Sequence, residues 1–497
     1  MLPDCVCNFQ KCGSVPVSEC RLVARMMQIM RFRPCDELTG RDALDVLQAW
    51  PASTPIVALH SQQGPHTAAR WSILATPTGR IRAQADHITT FGDVPVDAGR
   101  GALDTLHAID QHRRPMTPDS QAPPFAGWLL SLSYELGELL EPAVVSAREH
   151  QRPAAVVVDA CWCPDALVHD RMTGQWWQCG HPTIPGRHKT TGPPLSTIGE
   201  LTSVPPANSW STQVADAIKA IRRGDIFQVN LTRQLSAAVQ GDPRTLAIAA
   251  LQEPQAVFGC LLEPPPSAPE AGTIVSLSPE LFFSIDADGR ITTRPIKGTL
   301  PADEPWQTLR DSQKDEAELH MIVDLMRNDL GRVCQTGTIE VTCPRMIESH
   351  PTVHHGVAEV QGQIRPDATL VDLLRATFPA GSITGAPKIR AMQIIRAFEP
   401  APRGMYCGAI GMLGPGHVTT LSVAIRTAHL CESSVCNGWS GTLHYGVGCG
   451  IVADSDPHQE LIESQDKARV LVRALSASVS QSCDQPVDVV ACSQSRA

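Results

Sequence analysis

The 497-residue sequence has no apolar run long enough to cross a bilayer, so a helical membrane span is excluded from expectation. It has no basic tract, and 51 acids outnumber 41 bases for a net charge of −10. Nucleic-acid binding therefore has no electrostatic footprint to rest on. The first residues, "MLPDCVCNFQKCGSVP", lack a basic stretch followed by an apolar one, which argues against a secretory leader and for a cytoplasmic protein. There is no internal repeat, and no "G-x-C-x-G" elbow of the kind that carries a glutaminase nucleophile. The 17 cysteines are scattered. Cys5, Cys7, Cys12 and Cys20 cluster, but their spacing fits no standard zinc pattern, so the thiols read as reduced, small packing residues.

What is present is an ordinary globular balance, 42% hydrophobic and 19% charged. Residues 1–20 read as a disordered tail. Residues 21–178 form an N-terminal region of short apolar segments such as "PIVALH" and "RWSILAT", expected as strands. "FAGWLLSLSYELGELLE" reads as strand then helix. Residues 179–209, dense in Pro, Gly, Ser and Thr, read as a linker. Residues 210–477 form the main functional region, opening with the helix "STQVADAIKAIRRGD" and the alternating strand "IFQVNLTRQLSAAV". Residues 478–497 read as a second disordered tail.

Two helices carry acids beside apolar stripes. In "KDEAELHMIVDLMRNDLGRV", Asp315 and Glu318 stand one turn apart next to the stripe Leu319, Ile322 and Met326. In "DPHQELIESQDKARVLVRAL", Asp456 caps the start, and Glu460, Glu463 and Lys467 share a face that continues as Val470, Leu471 and Ala474. A carboxylate bordering apolar surface needs a partner, a proton or a metal. Two such helices could supply oxygens to a hard cation such as Mg²⁺, or could be solvated faces with an internal salt bridge.

Three further stretches suit anions. "FPAGSITGAPKIRAMQIIRAF" sets Gly381, Ser382, Thr384 and Gly385 before a helix from about Pro387, where free N–H groups attract negative charge. "HYGVGCGIVADSD" places Gly446, Gly448 and Gly450 after a strand, letting backbone approach a ligand, although Ile451 stands where a dinucleotide fingerprint needs its third glycine. "VTTLSVAIRTAHL" reads as one strand with Arg426 on the face opposite Leu421, Val423 and Ile425. "SHPTVHH" offers His350 and His354, but Pro351 and the lack of a fourth ligand argue against zinc.

Together these stretches resemble the chorismate-utilising enzymes. The resemblance rests on "QVNLT", "SLSPELFF", "TRPIKGTLP", "MIVDLMRNDLGRV", "VHH", "FPAGSITGAPKIRAMQII", "YCGAIGM", "AIRTA" and "GIVADSD…ELIESQDKA", in that order from about Gln228 to Leu475. It implies an α+β fold in which two large antiparallel sheets pack as a sandwich with helices outside. "PIKGT" resembles the branch that aminates chorismate at C4, the aminodeoxychorismate synthase component I enzymes; anthranilate synthases resemble "PIAGT" here. The resemblance further implies chorismate and ammonia as substrates, Mg²⁺ as cofactor, and a separate glutamine amidotransferase subunit, with free ammonium able to substitute for it. It implies Lys297 as nucleophile and Glu280 as acid/base. It implies Glu318 and Glu463 as metal ligands supported by Glu460 and Asp315. His355, Thr384, Gly385, Tyr406, Arg426, Gly450 and Lys467 become substrate-binding positions. Two departures stand out: Ala302 replaces a frequent arginine, and Cys449 interrupts a glycine run, where it is expected to crowd the ligand's carboxylate. Anthranilate synthase component I and an inactive chorismate-binding subunit are the alternatives.

Overall fold

A computed structural model describes residues 31–480 apart from 62–66, 116–121, 146–154, 190–191, 198–199, 254–255 and 435–438. The four clustered cysteines, the expected tail 1–20, and residues 481–497 of the expected tail 478–497 lie outside these residues. Ten elements position the site. In chain order they are α1 (Ala207–Arg222), β1 (Gln228–Gln240), β2 (Ile296–Pro301), α2 (Gln313–Gly331), β3 (Val353–Gln363), α3 (Lys388–Phe398), β4 (Thr419–Val423), β5 (Thr427–Ser434), β6 (Ser440–Ile451) and α4 (Pro457–Ser480).

Among the described residues the strands form a 13-stranded and an 11-stranded sheet. β1, β5 and β6 belong to the first; β2, β3 and β4 belong to the second. Alternation along the strands explains why the sheets face each other. Cys260, Leu262 and Ile274 of the first sheet meet Leu129, Cys161, Ile410 and Met412 of the second in one buried layer. The intervening residues point outward to helices: Leu261, Val275 and Leu277 under Leu246 and Leu471, and Trp128, Leu130 and Leu132 under Leu106 and Ile109. This is the expected sandwich of antiparallel sheets with helices outside.

Three local expectations change. The segment Ala102–Arg113, within a region read as strands, is a helix that buries Leu106 and Ile109 three residues apart. The stretch 179–209 is not a free linker. Ser196–Thr197 and Thr202–Val204 pair antiparallel with β1, and α1 already begins at Ala207. The outer edge of β1 has backbone donors and acceptors to satisfy, and these short strands cover it. Both sheets also draw strands from the two halves of the chain, as where Val57–His60 pairs with Phe258–Leu262. Finally, α4 runs to Ser480, three residues past the expected end of order.

Candidate active site

β1 shows why a site forms. Its apolar residues Val229 and Leu231 are buried as alternation requires, yet Gln228, Asn230 and Thr232 on the other face are buried too. Of these, Asn230 lines a cavity of about 560 Å³. The cavity is lined by Lys297, Glu280, His355, Tyr406, Arg426, Gly450 and Lys467, and by Asp315, Glu318, Glu460 and Glu463. Eleven of the thirteen residues singled out in the sequence therefore meet in one place.

Lys297 is aimed by a break in regular pairing. The β2–β3 register shifts between Ile296 and Thr299, and Gly298 sits at φ +82°. A Cβ on Gly298 would lie 2.6 Å from Leu309 and 3.0 Å from the Asp315 carboxyl carbon, so a side chain there would push β2 off the helices beneath it. Lys297 Nζ donates to the carbonyl of Ser382 at 3.2 Å. Burial lowers its pKa, against the pull of Glu318 and Glu280, so the amine gives up its proton more readily than a surface lysine. Gly450 lets the amine approach backbone closely: a Cβ there would meet Lys297 Nζ at 3.2 Å and Gln228 Nε2 at 2.6 Å.

Glu280 sits just before the strand Leu281–Ile285 and is 5% exposed. Burial pushes its carboxyl up to about 7, opposed by the Ser382 hydroxyl, which donates to Oε1 at 2.6 Å, and by Lys297. Ser382 thus holds the acid through its side chain and the amine through its carbonyl. The sequence marked it only as part of an anion-ready loop.

The expectation for that loop needs correcting at two positions. Thr384 and Gly385 do not line the cavity; Ser382 and Ile383 do. Thr384 is fully buried and donates its hydroxyl to Ala380 O at 2.9 Å, closing its own turn. Gly385 is a pairing position against β1, where a Cβ would lie 2.1 Å from Gln228 O. The pair anchors the loop to the sheet, which leaves Ser382 at the surface of the cleft.

Arg426 corrects a second reading. The expected single strand is two strands in different sheets, β4 and β5, with the chain crossing the sandwich between Val423 and Thr427. Arg426 occupies that crossing at φ +52°, a left-handed conformation that costs a non-glycine residue about 1 kcal/mol. The turn directs its guanidinium toward the cleft, where burial works against its charge and Tyr445 and Glu280 favour it.

The two acid-bearing helices converge. Ser312 caps α2 and Asp456 caps α4 through its acceptance of the His458 and Gln459 N–H groups. Burial raises the Glu318 carboxyl, and the charges of Asp315 and Glu460 add to that while Lys297 and Lys314 oppose it. Glu460 is raised by burial and holds the Ser455 hydroxyl at 2.7 Å. Glu463 falls below its usual range in spite of burial, because Lys467 lies 2.8 Å away. Lys467 also donates to Gly448 O at 2.9 Å, with its side chain 43% exposed at the mouth of the cleft. The Glu460 and Glu463 carboxylates and the Cys449 sulfur lie within 4.8 Å of one another, and Asp315 and Glu318 line the same cavity, a gathering of hard oxygens that fits a hard divalent cation.

Cys449 does not line the cavity. It is fully buried, its thiol lies 3.3 Å from Glu460 O and 3.9 Å from Lys467 Nζ, and that stretch of the wall is made by Gly446, Gly448 and Gly450. One glycine of the three is needed for another reason: a Cβ on Gly446 would sit 2.1 Å from the Tyr406 ring. His355 and His354 are adjacent in β3 and take different partners, Thr299 and Ser349. Burial, with Arg426 and neighbouring histidines, lowers His355 to about 3, and the ring is neutral at physiological pH.

The profile of the chorismate binding enzymes matches residues 55–473. The chain belongs to that family. It is 34% identical to aminodeoxychorismate synthase component 1 of Salmonella typhimurium over 439 residues, covering 84% of this chain and 92% of that one. It is 33% identical over 443 residues to the protein of the same name from Escherichia coli, with 84% and 92% covered. Anthranilate synthase component 1 1 of Haloarcula marismortui is 39% identical over a shorter 283 residues, 56% of this chain and 55% of that one. Among solved structures, anthranilate synthase component I from Streptococcus pneumoniae matches with a TM-score of 0.66 at 26% identity, covering 82% and 93% of the two chains. The menaquinone-specific isochorismate synthase MenF of Escherichia coli matches at 0.65 with 17% identity, covering 92% and 98%, a likeness of fold. This member of the family is a chorismate-utilising enzyme with the cleft described above, and no helix among its described residues is long and apolar enough to cross a membrane.

Proposed function

We propose that the protein is an aminodeoxychorismate synthase component I, which converts chorismate and ammonia to 4-amino-4-deoxychorismate for 4-aminobenzoate and folate synthesis in the cytoplasm. The observation that carries this reading is the side chain at position 297: a lysine whose amine is buried in the cleft, depressed in pKa and held beside Glu280 through Ser382. The relatives that match over most of the chain bear the same activity in their names.

The chemistry follows from those groups. Arg426, Lys467 and the backbone N–H groups around Gly448 and Gly450 bind the two carboxylates of chorismate and orient its ring. Glu318 and Glu463, supported by Glu460 and Asp315, would hold Mg²⁺, which when bound neutralises ligand carboxylate charge. The neutral Lys297 amine adds at ring C2. The ring double bonds shift, the C4–O bond breaks, and the hydroxyl leaves as water with a proton from Glu280. Hydroxide alone is a poor leaving group, and an acid with a pKa of about 7 can both give and retake that proton. Ammonia then attacks C4, the double bonds shift back, the C2–N bond to Lys297 breaks, and Glu280 accepts the proton that the new amine sheds. Covalent catalysis of this kind needs the amine unprotonated, which burial favours.

Ammonia would come from a glutamine amidotransferase subunit, a reading supported by the name component 1 that the relatives bear. The test is product identity. Chorismate, Mg²⁺ and ammonium, followed by an aminodeoxychorismate lyase, should release 4-aminobenzoate. Fluorescent anthranilate would instead assign the protein to the anthranilate synthases, the reading favoured by the Haloarcula relative's higher identity over its shorter match.

A further inference from the structure

We propose that Thr299 is a positioning residue that fixes the tautomer of His355, so that the ring offers its Nε2–H to an anionic or hydroxyl oxygen of the bound substrate. The inference rests on the cleft being the chorismate site.

Thr299 and His355 stand directly opposite each other in the β2–β3 pairing, immediately after the irregularity at Gly298. Their side chains meet at 3.0 Å, Thr299 Oγ1 to His355 Nδ1. A histidine of either tautomer could satisfy that distance, but the two leave different groups in the cleft. If Nδ1 carried the proton, the Thr299 hydroxyl would accept, and its own hydrogen would turn to the solvent that reaches this exposed residue. If the hydroxyl donates, Nδ1 accepts, the single proton of a neutral imidazole sits on Nε2, and both groups are used. The second arrangement gives the hydroxyl an acceptor within the protein in place of water and leaves the ring proton for a ligand in the cleft.

The surroundings agree with a donor. His355 is 2% exposed and lines the cavity wall that also holds Arg426. The edge of the His350 ring packs against it with centroids 5.4 Å apart, which fixes the ring plane. Burial and the nearby guanidinium keep the ring from taking a second proton, so it cannot donate from both nitrogens. One proton must be on the correct nitrogen, and Thr299 is the group that selects it. The residue sits two positions after Lys297, so one strand delivers both the amine and the group that sets the imidazole.

A double-mutant cycle tests this. Thr299→Val removes the hydroxyl while keeping shape, and should lower kcat/KM for chorismate about tenfold, the scale of one lost hydrogen bond. Thr299→Ser, which keeps the hydroxyl, should restore most of the rate. His355→Gln places an amide N–H near the Nε2 position with no tautomer to choose, so adding Thr299→Val to it should cost about twofold or less. Thr299→Ala repeats the cycle should the valine variant fold poorly. ¹⁵N-histidine spectra supply a readout independent of turnover: the His355 signals, identified by their loss in His355→Gln, should report Nε2 protonation in the parent and a mixture in Thr299→Val. An equal penalty for Thr299→Val in both backgrounds, or a parent ring protonated on Nδ1, overturns the proposal. Rates are read as chorismate consumed. A product other than 4-amino-4-deoxychorismate would therefore reject the functional reading while leaving the cycle interpretable.

Discussion

Replacing Glu280 by glutamine should make the protein more stable at mildly alkaline pH while removing its activity. Burial raises the Glu280 carboxyl from an ordinary 4.5 to about 7. Below the lower value both the folded and unfolded chains hold the proton, and the residue adds no pH dependence. Between the two values the unfolded chain releases the proton and the folded chain keeps it, so stability falls as pH rises. Above about 7 the fall is complete. At about 1.4 kcal/mol per pH unit the total is about 3 kcal/mol. Glutamine cannot ionise, yet its carbonyl can still accept from Ser382. The variant should therefore gain about 3 kcal/mol relative to its parent at about pH 8 and under about 1 kcal/mol at about pH 5. Urea unfolding midpoints of the two proteins at both pH values measure the difference. The same gain at both pH values, or a loss at the higher one, would refute the argument that Glu280 is held against its charge for chemistry.

Other perturbations separate the site from its support. Cys449→Gly should lower stability by about 1–2 kcal/mol through lost burial and a freer chain, yet leave chorismate affinity within about twofold; a large fall in KM would show that the thiol crowds the cleft after all. The Arg403 side chain is 2% exposed and donates to both Glu399 oxygens, Ile383 O and Asn230 O, so Arg403→Met should cost about 3–5 kcal/mol by removing the cation beside the buried Glu399 carboxylate, and an unmoved urea midpoint would contradict that. Chelation by EDTA should stop turnover and added Mg²⁺ should restore it, with Glu318→Gln raising the Mg²⁺ requirement about tenfold or more; full activity in EDTA would remove the metal from the account.

Much of this site was legible because its residues break local rules. Acids beside apolar stripes in α2 and α4, and glycines packed along the end of β6, are unfavourable patterns unless something binds there, and they do meet at one cavity. The sandwich was legible through the family resemblance, not through periodicity. The helix Ala102–Arg113 was missed because its apolar spacing is weak and its neighbours are strands. Arg426 was placed on the wrong backbone because an apolar run continues straight through Ala424 and Ile425; a crossing between sheets leaves the same alternation on both sides. Thr384 and Ser382 are two residues apart in one loop, and which of them faces the cleft depends on a turn closed by Ala380 O. Cys449 was misjudged because the side on which a strand residue points follows from sheet pairing and from the helix packed behind it.

The central claim is that Lys297 directs nitrogen to C4 of chorismate. The direct measurement is the NMR spectrum of the product formed from chorismate and ¹⁵N-ammonium with Mg²⁺, compared between the parent and Lys297→Ala. The account predicts ¹⁵N bonded to the carbon that bore the hydroxyl, with the enolpyruvyl group retained, and no such product from the variant. Nitrogen at C2, or undiminished C4 amination by Lys297→Ala, would contradict it.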